Sequence, residues 1–242
     1  MTEKGRKSLF EDYFSSIFSH SNVFSEKEYQ NSLAQFERNY EKFLPPSKKA
    51  KILDVGCGAG HFLYYLEKKG FTDFLGIDIS PQQVSFCRQN ITQRVKEADA
   101  FEFLKGKENA FDAVVANDLL EHIPKEETIP FLKLVQTALR DKGIFLVRTP
   151  NMGNPFSLYP RYKDFTHEAG FTDRSLYQVF WTAGFRDIRI LPYRNHPERS
   201  LKRILEAMAT RLTHLVITKL FQIQGFVAPQ VLSSLIVGAA RK

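Results

Sequence analysis

The stretch Ile52–Leu63, "ILDVGCGAGHFL", sets three glycines within five positions (Gly56, Gly58 and Gly60) between an apolar run and a second apolar stretch. The run before it, "AKILDVGC", is continuously apolar, as expected of a strand buried on both faces of a parallel sheet. The run after it, "GHFLYYLEKKG", reads as a helix with a Lys-Lys-Gly stop. A glycine-rich turn that opens a helix at the carboxyl end of a strand is the setting for a nucleotide-type ligand. Missing β-carbons let the backbone approach the ligand, and the helix N-terminus offers N–H groups. The alternative is a tight strand-to-helix turn that holds no ligand.

Outward from this turn, strands and helices alternate. "DFLGIDI" reads as a strand, and "SPQQVSFCRQN" as a helix with Ser80 as its cap and Pro81 in its first turn. "VKEADA", "FDAVVAND" and "KGIFLVRTP" follow as strands, with "KEETIPFLKLVQTAL" a helix between the last two. A helix, "TDRSLYQVFWTAGF", a strand, "RDIRILPYR", and a closing strand, "VLSSLIVGAAR", complete the pattern of a doubly wound α/β sheet. Residues 1–45 are expected to form an N-terminal helical cap, with Leu33, Phe36, Tyr40, Phe43 and Leu44 on an apolar face. Residues 46–242 form the main domain, with an insert at 152–172 and a helix at 199–224 before the last strand.

Bulk composition narrows the classes. The chain has 242 residues, 43% hydrophobic and 25% charged, which suits one sizeable globular domain with an accessory segment. No apolar run reaches the roughly 18 residues of a membrane span, and the first residues lack a secretory pattern. Two cysteines, Cys57 and Cys87, fit a reducing, cytoplasmic setting better than a disulfide framework or a cysteine zinc site. A net charge of +7 points to anionic partners.

Acids mark the ligand. Asp54 lies two residues before Gly56, where it can face a cationic group, and Asp78 ends the second strand, where it can accept both hydroxyls of a ribose. Asp99 ends the third strand, beside an expected adenine amino edge. The spacing G-x-G-x-G, preceded by an acid that would repel a pyrophosphate, favours a ligand with an ammonium and a sulfonium over a dinucleotide.

"LDVGCGAG", "GIDIS", "ADAF", "FDAVVANDLLEHIP" and "LRDKGIFLVRTPN" together resemble the motifs of class I S-adenosylmethionine-dependent methyltransferases, over roughly residues 30–194. The resemblance implies a Rossmann-like fold with helices on both faces of a seven-stranded, mostly parallel sheet whose last strand is reversed. It implies S-adenosylmethionine (AdoMet) as cofactor and S-adenosyl-L-homocysteine as product. Gly56, Gly58 and Gly60 would bind the cofactor, with Asp54 near its amino-acid end; Asp78 and Ile79 would hold the ribose and flank the adenine, and Asp99 and Ala100 would meet the adenine edge. Asn117 would lie beside the methionine portion, and Arg38 would pair with the cofactor carboxylate, as an arginine does in related ubiquinone-pathway O-methyltransferases.

A hydroxyl acceptor needs somewhere for its proton to go. His167, in "YKDFTHEAGFT", is the chosen base, with Glu168 or Asp164 orienting its ring, and His122, in "DLLEHIP", is the other candidate. Asp118, Glu121 and His122 have spacing that could converge on a cation, with His167 as a fourth ligand. The resemblance to metal-dependent relatives with Glu-x-x-Glu-His is imperfect because Asp118 replaces the first Glu, so no metal is expected. The segment "RYKDFTHEAGFTDRSL" resembles a bacterial methyltransferase group tied to polysaccharide and lipopolysaccharide assembly. That resemblance implies a sugar or glycan acceptor, nucleotide- or lipid-linked. The alternatives are a metal-assisted RNA or quinone-type methyltransferase and a non-catalytic AdoMet-binding protein; no RNA-binding module is evident. In residues 199–224, Leu201, Ile204, Leu205, Met208, Leu212, Leu215 and Val216 form a stripe beside basic residues. It would pack on the sheet or in a homodimer, or lie on the inner face of a membrane.

Overall fold

A computed structural model describes residues 25–194 and 201–242, and of 201–203 only the backbone. The N-terminal cap therefore has its first 24 residues outside the described part, as do the first residues of the 199–224 segment.

Helix α1 (Glu26–Tyr40) starts at Ser25, whose hydroxyl accepts from the Glu28 amide. It precedes β1 (Lys51–Val55), α2 (His61–Lys68), β2 (Asp73–Asp78) and α3 (Pro81–Asn90). Then come β3 (Val95–Glu97), a short α4 (Ala100–Leu104), β4 (Phe111–Asn117), a 3-10 turn at Leu120–His122 and α5 (Lys125–Ala138). Strand β5 (Leu139–Pro150) leads into the insert, which carries a 3-10 turn at Pro155–Ser157 and α6 (Leu158–Tyr162). The chain closes with α7 (Asp173–Thr182), β6 (Arg186–Pro192), α8 (Leu201–Ile223) and β7 (Leu235–Arg241).

The sheet runs β3-β2-β1-β4-β5-β7-β6. β1 pairs in parallel with β2 and β4, β4 with β5, and β7 runs antiparallel to both β5 and β6. This is the expected seven-stranded architecture with a reversed last strand. The period of two in a strand sends alternate residues to opposite faces. Ile52 joins a core with α1, α2 and α3 through Phe36, Tyr40, Phe62, Leu66, Val84 and Cys87, while Leu53 and Val55 join a core with α5 and α7 through Phe131, Leu132 and Phe180. Burial on both faces is why β1 has no polar alternation. The order of strands reverses between β1 and β4, so the loops after them open the crevice where ligands of such sheets bind.

Three strand boundaries differ from the sequence reading. Strand β3 stops at Glu97, so Asp99 does not end the strand but lies past it, as the cap of α4. Strand β5 begins at Leu139 rather than near Lys142, because Leu139 pairs with Phe111 before a register shift to Ala113–Ile144. Strand β7 begins at Leu235 rather than Val231, and residues 231–233 instead offer carbonyls to Asn151, just past the end of β5, and to Asn154 in the insert.

Candidate active site

The three glycines answer to two demands. All have positive φ (68°, 54° and 85° for Gly56, Gly58 and Gly60), which a side chain disfavours. At Gly60, a β-carbon would also lie 2.6 Å from the Cys87 sulfur on α3, so this glycine serves helix packing. Gly56 and Gly58 line a cavity of about 600 Å³ at the carboxyl ends of β1, β2 and β4, whereas Gly60 does not reach it. Asp78 shapes this loop. Its Oδ2 accepts from the Gly58 amide at 2.8 Å and its Oδ1 from the Ser80 amide at 2.9 Å. Each oxygen keeps a lone pair for a ribose hydroxyl.

The cavity brings together Asp54, Asp78, Ile79, Asp99, Ala100, Asn117, His122 and His167. Arg38 is the exception. It is exposed and outside the lining, while Glu28, Ser32, Gln35 and Phe36 present the inward face of α1. Those four recur at helical spacing, and the stripe continues to Asn39 and Tyr40, leaving Arg38 beside it. Asp99 has a second duty: its Oδ1 caps α4 by accepting from the Phe101 and Glu102 amides, at 2.9 and 3.1 Å.

Three buried polar atoms of the described side chains lack a hydrogen-bond partner: Asp54 Oδ1, Asn117 Nδ2 and Gln83 Oε1. All three residues line the cavity. Burying such groups unpaired costs about 1–3 kcal/mol each, so they fit a ligand that supplies the missing partners. An ammonium would suit Asp54, and an acceptor would suit the Asn117 amide, whose Oδ1 is held by the Tyr40 hydroxyl at 2.5 Å. This donor and acceptor set fits AdoMet.

Burial, reinforced by Asp78, pushes the Asp54 carboxyl well above the usual carboxylate range. A carboxyl raised by folding contributes stability below its unfolded pKa of about 3.9, which is lost as pH rises through the folded value. Asp54→Asn is therefore expected to raise the melting temperature of ligand-free protein at neutral pH by a few degrees, at about 2–4 °C per kcal/mol. The gain should vanish under acid, and AdoMet affinity should fall at least about tenfold. Unchanged melting and unchanged AdoMet affinity in that variant would remove Asp54 from this role.

Sequence reasoning missed Arg148 on β5. Its guanidinium lines the cavity, pairs with Asp118 and donates to the Tyr193 hydroxyl at 3.1 Å. Asp118 adopts a positive φ of 51°. Tyr193 in turn donates to Gln35 Oε1 at 2.8 Å, tying the end of β6 to α1. A lone cation in the apolar run "FLVRTP" was the available signal.

The insert folds back so that Asn151 bridges Phe171 and the Glu168 and Ala169 amides donate to the Glu121 carbonyl, at 2.7 and 3.0 Å. That clamp sets His167 against His122, with ring centroids 4.7 Å apart. His122 Nδ1 lies 2.8 Å from Thr166 Oγ1, which lies 2.7 Å from Asp164 Oδ1. A hydroxyl has one proton and a carboxylate only accepts, so Thr166 donates to Asp164 and accepts from His122 Nδ1–H. Burial and the neighbouring His167 hold His122 down at about 4. Burial also lowers His167, and the Asp164 carboxylate 4.0 Å from its Nε2 opposes the shift. Of the two expected orienting acids, Asp164 is buried at the ring and Glu168 is exposed.

Ligand atoms of Glu121, His122 and His167 lie within 4.8 Å of one another. Asp118 is engaged by Arg148 instead of completing this set. Glu121 accepts from the Thr149 hydroxyl at 3.0 Å, and burial with the Asp118 charge pushes it up to about 8, toward the protonated form. Turnover is expected to survive chelation by EDTA. Complete loss, rescued by a divalent cation, would make Glu121, His122 and His167 ligands.

A doubly wound sheet, a glycine loop clamped by an acid and a cavity at the switch point define a class I methyltransferase fold. A profile of the methyltransferase domain matches residues 17–190, and the chain belongs to that family. Its cofactor is AdoMet. The chain is 34% identical over 118 residues to the putative methyltransferase YqeM of Bacillus subtilis, covering 46% of each. It therefore spans about half the length of that relative. A SAM-dependent methyltransferase from Archaeoglobus fulgidus has the same fold, with a TM-score of 0.67 at 22% identity, covering 97% of this chain and 99% of the other. Phosphoethanolamine N-methyltransferase 2 of Haemonchus contortus, solved with S-adenosyl-L-methionine, has a TM-score of 0.63 at 18% identity, over 96% of this chain and 60% of its own.

Proposed function

We propose that this chain O-methylates a hydroxyl of a sugar or glycan intermediate of cell-surface polysaccharide assembly, with His167 as the base. The observation that carries the hydroxyl reading is the His167 ring, backed by Asp164 and lining the same cavity as Asn117 and Asp54. When bound, AdoMet supplies an activated methyl group on a sulfonium. The chain's own residues then have two tasks. Asp54, Asn117 and Asp78 hold the donor's polar ends, and His167 takes the hydroxyl proton while Asp164 offsets the charge on the imidazolium. The glycan assignment is supported by the likeness of "DFTHEAGFT" to a polysaccharide-associated group and by the positive charge.

Extracted sugar nucleotides and lipid-linked glycans, incubated with the protein and AdoMet labelled in its methyl group, test this by mass spectrometry. Label on a glycan hydroxyl supports the reading. Label confined to an amine or to RNA overturns it, and AdoMet binding without transfer to any acceptor makes the chain a non-catalytic binder.

A further inference from the structure

Helix α8 is turned inside out. Among its described side chains, Ile217 is the buried one, with His214, Thr218 and Phe221 partly covered around it. Ile204, Leu205, Met208, Leu212, Leu215 and Val216 are 50–63% exposed. At 100° per residue Ile217 lies half a turn out of phase with Met208, so the helix rests on the protein by one face and carries its apolar stripe outward. Asn154, at the start of the insert, donates to the Leu232 carbonyl at 2.9 Å, so the chain leaving α8 runs beside the insert. Both carry exposed apolar side chains: Phe226 and Val227 on one, Phe156, Tyr159, Tyr162 and Phe165 (66–90% exposed) on the other.

We propose that this surface docks on an anionic lipid bilayer, with α8 lying in the interface. Charge decides between lipid and a second copy. In the sequence, residues 199–223 carry Arg199, Lys202, Arg203, Arg211 and Lys219 against one acid, Glu206, and the insert adds Lys163, while Arg161 is held by the His167 and Glu168 carbonyls. A second copy would bring the same net positive surface against this one, which like-charge repulsion opposes. At an anionic surface the exposed Lys163, Arg211 and Lys219 extend to phosphate while the stripe enters the acyl boundary. Among the described residues no helix is long and apolar enough to cross a membrane, which fits a helix that lies on one. Pro160, Lys163, Asp164 and His167 of the insert line the cavity, so docking would bring its mouth to the bilayer whatever the acceptor is.

The test is co-sedimentation of the whole protein with vesicles of phosphatidylcholine and phosphatidylglycerol, against phosphatidylcholine alone. Binding is expected to the anionic vesicles only and to weaken as salt is added. The double variant Met208→Glu, Leu212→Glu should bind them at least about a hundredfold more weakly, with AdoMet affinity and melting temperature unchanged. The proposal is overturned by an absence of vesicle binding in the parent protein or by equal binding of the variant. It is equally overturned by a dimer in analytical ultracentrifugation that the same substitutions dissociate, which would make the stripe a self-interface.

Discussion

His167→Ala is expected to lower kcat by roughly 10²–10⁴-fold, the usual contribution of general-base catalysis, with AdoMet affinity almost unchanged. The imidazole lines the cavity beside His122, while Asp54, Asn117 and Asp78 sit on other strands and keep their positions without it. His167→Gln should be similarly impaired, since an amide hydrogen-bonds but takes no proton at neutral pH. The pH profile adds a readout that a packing role would not move. Burial lowers the His167 pKa, so the neutral base should persist below the ordinary histidine value of about 6.5. Activity should then fall on the acid side only, with its midpoint under that value. Near-normal turnover of the Gln variant would reduce His167 to positioning the acceptor. Loss of AdoMet binding in both variants would place it in the cofactor pocket instead.

What the sequence disclosed follows the range of the interactions involved. The glycine loop, β1 and the acids at the strand ends are local patterns: Asp54 and Gly56 are two residues apart, and a buried strand writes itself as an apolar run. The clamp of Asp78 on Gly58 spans twenty residues and is invisible to spacing. The Arg148–Asp118–Tyr193 set joins three distant segments, and no pattern within any one of them announces it. Arg38 shows the converse case. A resemblance fixed the helix and the residue type, but at 100° per residue Arg38 lies about 200° round α1 from Phe36, and Gln35 and Phe36 face the cavity while Arg38 does not. For α8 the periodicity was legible and its direction was not, because an apolar stripe does not say whether protein or something else covers it.

Asp78→Ala should weaken AdoMet binding at least about tenfold, and two separate losses combine in that figure. The first is direct. The carboxylate sits at the end of β2, lining the cavity, and a charge-assisted hydrogen bond to a ribose hydroxyl is worth about 1.5–3 kcal/mol, where 1.4 kcal/mol is a factor of ten. The second acts through the loop, because Oδ2 holds the Gly58 amide and Oδ1 the Ser80 amide. Removing both acceptors leaves buried N–H groups unpaired and frees a turn whose glycines already occupy positive φ. Asp78→Asn separates the two. Its single carbonyl oxygen can keep one of the two backbone amides, while its NH₂ group faces the other, so the loop is half held and the charge is gone. Calorimetry should therefore show AdoMet weakened in both variants, with the melting temperature of ligand-free protein lower for Ala than for Asn. Unchanged AdoMet affinity in Asp78→Ala would sink the ribose assignment. Unchanged melting together with weakened affinity would leave the ribose contact and remove the clamp as a source of loop stability.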